Sequence, residues 1–227
     1  PFGFEGYVIN KIFEINQKNI IYLAKDDKDA EIIKNSLLFF NSKIEVMNFP
    51  AWDCLPYDRS GPRLKIQSER LSFLTKLCER NFSNKVIIAT VNAITQRVIP
   101  KTHVEKLIFR LTIGKPIDIN KFKDILVYSG YIETGKVLEL GDFSIRGGII
   151  DIFAPGETGA VRLDLFGDVL DGIRQFDPIS QRTVSKMSNI RLSPVSEVIF
   201  DEASISRFRQ NYRKEFGASH SKDILYE

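Results

Sequence analysis

The sequence predicts an α/β unit built on a parallel sheet, joined to a separate α+β unit rich in antiparallel hairpins. Three observations predict it. Up to about residue 100, short apolar runs alternate with amphipathic stretches, the pattern of strands crossed by helices over a parallel sheet. After Pro100, turns of Gly, Pro and Asp separate strand-like segments as far as Leu192. Beyond Pro194, apolar residues return at helical spacing.

In the first unit, Ile20-Ile21-Tyr22-Leu23-Ala24 is a short apolar strand. The polar run Lys25-Asp26-Asp27-Lys28-Asp29 supplies cap residues, and an amphipathic helix follows from Ala30 to Phe40. Ile44 to Phe49 is a second strand, Pro50 to Pro62 a Pro-rich loop, and Leu64 to Arg80 a helix. Lys85 to Thr90 is a third, buried strand that leads into a short helix through Arg97. In the second unit, Val104 to Leu111 reads as a strand, Ile119 to Ser129 as a helix and Gly130 to Leu192 as hairpins. Asp201 can cap a last helix to about Phe216, whose Ile205, Phe208, Tyr212 and Phe216 form one face in need of a partner. That tail is expected to return to the first unit. The domains expected are therefore residues 1–103, an insertion over 104–193, and 194–227 rejoining the first.

Composition fits two modest cores: 227 residues, 43% hydrophobic, 27% charged and 11% aromatic. Basic and acidic residues, 32 and 29, are mixed along the chain and leave a net charge of +3, which argues against a dedicated nucleic-acid grip. Cys54 and Cys78, far apart in a cysteine-poor chain, read as reduced thiols near the core and fit a reducing cytoplasm. No run approaches the ~20 apolar residues of a membrane span, and no signal-peptide pattern is present. A start at Pro1 and an end at Tyr226-Glu227 suggest a piece of something longer.

Three constellations invite a functional reading. Gly3-Phe4-Glu5-Gly6 lies where a phosphate loop would sit, ahead of a helix and a parallel strand. Gly6 is followed by Tyr7 and Val8, however, so the lysine and hydroxyl that such a loop needs are absent. The run from Phe49 to Pro62 carries Trp52, Tyr57, Asp53 and Asp58 but no third ligand or matching base, and reads as a proline-braced loop over its aromatics. His103 and His220 have no motif around them and read as surface histidines. No catalytic, cofactor-binding or metal-binding set emerges.

The third constellation is Arg146-Gly147-Gly148 with Arg162, Asp164 and Phe166. The two-residue period of a strand puts Val161, Leu163 and Leu165 on a core face and Arg162, Asp164 and Phe166 on the other, with Arg162 and Phe166 about 13 Å apart. The bland reading is a solvated sheet face with Phe166 as a hairpin plug. The sharper one is a docking anchor, since arginine beside an aromatic recurs at binding hot spots. The twin glycines would let another backbone approach closely.

Several segments together resemble a known family. They are Leu55-Pro56-Tyr57-Asp58 with Ser60-Gly61-Pro62, Ser68-Glu69-Arg70-Leu71, Gly130-Tyr131, the run from Gly141 to Phe153, Arg162-Leu163-Asp164-Leu165-Phe166, and the run from Phe176 to Thr183. Over nearly the whole chain this resembles the N-terminal, UvrB-like region of the bacterial transcription-repair coupling factors (Mfd). The resemblance implies a degenerate helicase-like (RecA-like) α/β domain with an inserted α+β domain that binds UvrA in transcription-coupled nucleotide excision repair, without ATPase activity of its own. UvrB itself, an ATP-dependent helicase and damage-binding subunit, is the alternative. Its intact phosphate loop is missing here, and only Arg63 separates Pro62 from the Leu64 helix where UvrB has a long aromatic hairpin.

Carried over by position, the family's UvrA-contacting residues fall on Arg146, Arg162 and Phe166. The resemblance further implies a bacterial cytoplasmic protein whose UvrA surface is masked by a C-terminal domain. ATP, magnesium, RNA polymerase and DNA would be engaged by parts of the parent outside this chain. Alanine at Arg162 or Phe166 is expected to weaken UvrA binding at least tenfold with thermal unfolding nearly unchanged.

Overall fold

A computed structural model describes residues 3–55, 58–79, 81–198 and 202–216. The first elements in the chain are α1 (Phe4–Asn16), β1 (Ile20–Ala24), α2 (Asp27–Phe40), β2 (Val46–Phe49), α3 (Leu64–Leu77), β3 (Val86–Thr90), α4 (Val91–Thr95) and α5 (Lys101–Lys106). The three strands form a parallel sheet in the order β1-β3-β2. All five residues of the central strand β3 are buried, as a strand covered on both faces requires. One face packs Ile9 of α1 and Ala30, Ile33 and Leu37 of α2 against Ala24, Val86 and Ile88. The other packs Phe73 of α3 and Ala93 of α4 against Met47, Phe49, Ile87 and Ala89. Asp26 caps α2, its carboxylate accepting from the Asp29 amide at 2.8 Å.

Two sequence expectations change in this region. Gly6 lies inside α1 rather than in a loop, and a Cβ there would collide with the Ser36 side chain of α2. Its small size thus serves helix–helix approach. Residues 104–111, expected as one strand, split between the end of α5 and the strand β4 (Phe109–Thr112). Pro100 starts the α5 turn by accepting from the His103 and Val104 amides. Val104 and Leu107, three apart, match a helix better than a strand. Arg80, the expected end of the Leu64 helix, lies outside the described residues, and α3 ends at Leu77.

The remaining elements are α6 (Ile119–Tyr128), β5 (Ile132–Glu133), β6 (Asp142–Arg146), β7 (Ile149–Ile152), β8 (Ala160–Phe166), β9 (Val169–Phe176), β10 (Thr183–Met187), β11 (Asn189–Leu192) and α7 (Glu202–Phe216). Strands β5 to β10 form a six-stranded sheet in consecutive order, antiparallel except for the parallel pair β5-β6. Strands β4 and β11 pair as a separate antiparallel ribbon. Phe122 and Leu126 of α6, with Leu111, Ile190 and Leu192 of the ribbon, pack onto Phe143, Ile150, Ile152, Val161, Leu163 and Ile173 of the larger sheet. The whole is a mixed α/β structure with one parallel and two largely antiparallel sheets.

After β11 the chain runs back to the first sheet. Val195 is buried in the core of the larger sheet, and Ser68 of α3 donates to its carbonyl at 3.4 Å. Next to it Arg70 of α3, 0% exposed, donates through Nε to Glu197 at 2.6 Å and through Nη1 to the Pro50 carbonyl at 2.8 Å. Its guanidinium lies 4.5 Å from the Phe49 ring centroid and 5.3 Å from that of Trp52, and Trp52 Nε1 donates to the other Glu197 oxygen at 3.1 Å. The buried pair is therefore satisfied on both sides. On the final helix, Ile205 and Tyr212 are partly covered and Phe208 is exposed, its ring 5.8 Å from that of Tyr212. The expected cap at Asp201 and the side chain of Phe216 lie outside the described residues.

Breaking a buried, hydrogen-bonded ion pair leaves an uncompensated charge, which costs about 3–5 kcal/mol. Arg70→Ala is expected to lower the unfolding free energy of the chain by that amount in urea titration. The double replacement Arg70→Met with Glu197→Leu is expected to lose distinctly less.

Candidate protein-docking site

The outward face of the larger sheet is built from strand alternation. On β8, Val161 and Leu163 are fully buried and Leu165 packs against the same core, so Arg162, Asp164 and Phe166 fall on the opposite face. On β7, Ile150 and Ile152 face the core, which sends Ile149 and Asp151 outward. On β6, Ser144 pairs with Asp151 and Arg146 with Ile149, so Arg146 stands on this face too. The face thus gathers Arg146, Asp151 and Arg162 from three adjacent strands.

Asp151 sits at the centre of that group and is 1% exposed. Arg162, opposite it in register, donates through Nε to Oδ1 at 2.6 Å and through Nη2 to Oδ2 at 2.8 Å. Arg146, two residues beyond Asp151's register partner Ser144 on the next strand, reaches back to Oδ2 through Nη2 at 2.7 Å. The hydrogen bond and charge of Asp151 hold the Arg162 guanidinium above the ordinary arginine range, although its partial burial works the other way. Arg162 is further fixed by Gln181, which accepts from Nη2 at 3.3 Å, and by the ring of Phe176, 4.7 Å from its guanidinium carbon.

Arg162 also stands directly opposite Arg174 of β9, a pairing of like charges that destabilises a sheet unless compensated. Each arginine has its own carboxylate: Arg174 donates to Asp164 at 2.6 and 2.8 Å. Gln181 is presented by the turn after β9, where it takes a positive φ of 60° and its side-chain amide donates to the Pro178 carbonyl at 2.7 Å. In the same turn Asp177 accepts from Ser180, whose hydrogen bonds hold the Asp177 carboxyl below the usual carboxylate range.

One end of the sheet carries the exposed members. The β6–β7 turn, Gly147-Gly148, and the β8–β9 turn, Gly167-Asp168, lie at the same end, with Gly147 and Gly167 at φ near 60°. Phe166 enters the second turn 83% exposed, flanked by the partly exposed Ile149 and Val169. Arg146 keeps 53% of its side chain exposed, against 20% for Arg162.

The twin glycines have an internal role. The Leu165 amide donates to the Gly148 carbonyl at 2.7 Å, and a Cβ on Gly148 would stand 2.9 Å from the Leu165 carbonyl oxygen. The backbone that approaches Gly148 closely is this chain's own β8, while the space around Gly147 is open.

The other candidate residues serve local structure. The Asp53 carboxylate accepts from the Arg63 amide at 3.0 Å and from its side chain, which holds it below the usual range. Asp58 accepts from the Leu55 amide at 2.7 Å. Trp52 is partly buried on the Arg70–Glu197 pair, while Tyr57 lies outside the described residues. His103 is half-buried on α5, and His220 lies outside the described residues. Cys54 and Cys78 are half-buried free thiols, and burial pushes the Cys78 thiol up. Among the described residues no cluster of three His, Cys, Asp or Glu is placed to hold a metal, and no helix is long and apolar enough to cross a membrane.

The antiparallel sheet of this mixed α/β chain presents paired arginines and a bare aromatic. The family model of the UvrB interaction domain matches residues 109–198, which span that sheet, α6 and the ribbon. The chain is similar to the transcription-repair-coupling factors of Haemophilus influenzae (33% identity over 95% of this chain and 18% of the relative), Escherichia coli K12 (30%, 97% and 19%) and Rickettsia prowazekii (29%, 97% and 20%). It belongs to the transcription-repair coupling factor (Mfd) family, as the N-terminal UvrB-homology region. The chain spans about a fifth of the length of these relatives.

The geometry corrects the expectation that Arg162 can be truncated at no cost to stability. Arg162→Ala strands the buried Asp151 carboxylate with one partner and is expected to lower the unfolding free energy by about 2–4 kcal/mol. Phe166→Ala, at an exposed turn, is expected to change it by less than about 0.5 kcal/mol. Paired urea titrations check both.

Proposed function

We propose that this chain is the UvrA-docking adaptor of a transcription-repair coupling factor, acting in transcription-coupled nucleotide excision repair without ATPase activity of its own. The observation that carries the reading is an 83% exposed phenylalanine, Phe166, two strands across and two residues along from a half-exposed Arg146, a separation of about 12 Å, and the Arg146 guanidinium makes one hydrogen bond among the described residues. An aromatic with nothing to cover it and an arginine with unused donors are the makings of an interface anchor. Arg146 would bond an acidic or carbonyl group of UvrA, Phe166 would fill an apolar pocket, and Arg162 completes the surface.

In this reading residues 1–103 and 194–227 form a degenerate helicase-like (RecA-like) frame, and 104–193 are the inserted UvrA-binding domain. The absence of Gly-Lys-[Ser/Thr] after Gly6 and the packing of Gly6 on Ser36 support a frame without a nucleotide site. ATP, magnesium, RNA polymerase and DNA belong to the rest of a bacterial cytoplasmic parent, whose C-terminal domain would mask the UvrA surface until it is needed.

Phe166→Ala and Arg146→Ala are each expected to weaken binding of purified UvrA at least tenfold, with the thermal unfolding midpoint of Phe166→Ala unchanged. Wild-type affinity in both variants would overturn the assignment. Titration with labelled ATP and magnesium is expected to give no saturable binding; saturable binding would favour a UvrB-type ATP-dependent helicase instead.

A further inference from the structure

We infer that Asp151 is the positioning residue of the docking surface: it never touches the partner, and it sets the pose of Arg146 that the partner reads. The inference rests on the UvrA-docking reading. At 1% exposure the Asp151 carboxylate is out of reach of any partner, yet it makes the one side-chain hydrogen bond that Arg146 has among the described residues. An arginine side chain loses rotamer entropy when it is held in one pose, and fixing it in advance spares that loss on binding. Arg162 plays its part at one remove. Its Nε and Nη2 are spent on Asp151, Nη2 also meets Gln181, and its face lies over Phe176, so it locks the carboxylate in place.

Charge gives a second reason for the arrangement. Two guanidinium groups converge on one carboxylate, so the cluster keeps a net charge of +1, whereas Arg174 and Asp164 beside it cancel. Without the Asp151 charge, Arg146 and Arg162 repel each other and Arg146 swings free into solvent.

The test is a double-mutant cycle in the 227-residue chain, titrated with purified UvrA: wild type, Asp151→Asn, Arg146→Ala, the two combined, and Phe166→Ala as control. Asp151→Asn is expected to weaken binding at least fivefold alone but less than twofold in the Arg146→Ala background, because its effect runs through Arg146. A residue that only supports the fold would cost the same in both backgrounds. Equal costs, or wild-type affinity of Asp151→Asn while Phe166→Ala loses binding, overturns the positioning role and leaves the docking reading standing. Wild-type affinity of both Phe166→Ala and Arg146→Ala overturns the docking reading itself. Should Asp151→Asn be unfolded at the assay temperature, Asp151→Glu, which keeps the charge and displaces it by one methylene, enters the same cycle with the same non-additivity expected.

Discussion

The outward face of the larger sheet depends on one buried carboxylate. An ionised group at 1% exposure is tolerable only when it is fully bonded, and Asp151 meets that condition with three charge-assisted hydrogen bonds from two arginines. From that requirement the rest of the face follows. Arg162 must lie flat along the sheet, which brings it over Phe176 and within reach of Gln181, and the turn after β9 must take the positive φ that presents Gln181. Arg174, forced opposite Arg162 by the register, needs Asp164 as its own counter-charge. The polar face is thus a linked network, from one end of which Arg146 and Phe166 project into solvent.

A second buried pair connects the sheets. Arg70 and Glu197 join α3, the loop after β2 and the segment leaving β11, and the aromatic rings of Phe49 and Trp52 flank the guanidinium. Ser193 and Val195 on the same segment engage Thr75, Tyr131 and Ser68, so the two sheets are held by short polar contacts as well as by apolar packing. Gly130, at φ 87°, comes so close to Ser196 that a Cβ there would stand 2.6 Å from the serine Cβ. Both features fix where the six-stranded sheet sits relative to the parallel one.

The period-two pattern of β8 was enough to sort its core residues from its outward ones, and the alternating strands and helices of the first hundred residues announced a parallel sheet. Less was legible where an effect runs between strands. Asp151 appears in sequence only as one acid in the apolar run Ile149-Ile150-Asp151-Ile152, and nothing local says that two arginines 5 and 11 residues away converge on it. That signal was available, since an acid inside a buried strand needs a cation. The twin glycines read as a site of close backbone approach, and the structure shows one at Gly148 only, where the approaching backbone, Leu165, is set by the antiparallel register. At Gly6 the absence of a phosphate loop was legible, since Tyr7 and Val8 stand where the lysine and hydroxyl would be, but its role in a tight helix crossing shows only in the position of Ser36. Residues 104–111 are short and mixed in pattern, where a capping proline outweighs the strand-like composition.

In the proposed function a partner docks at one end of the antiparallel sheet, on residues that a buried network holds still. Amide hydrogen exchange of the chain with and without UvrA tests this most directly. New protection is expected at residues 146–149 and 165–169, the two turns that carry Arg146 and Phe166, with the helices over the parallel sheet unchanged. Protection confined to α1, α2 or the β10 edge, with both turns exchanging as in the free chain, would contradict it.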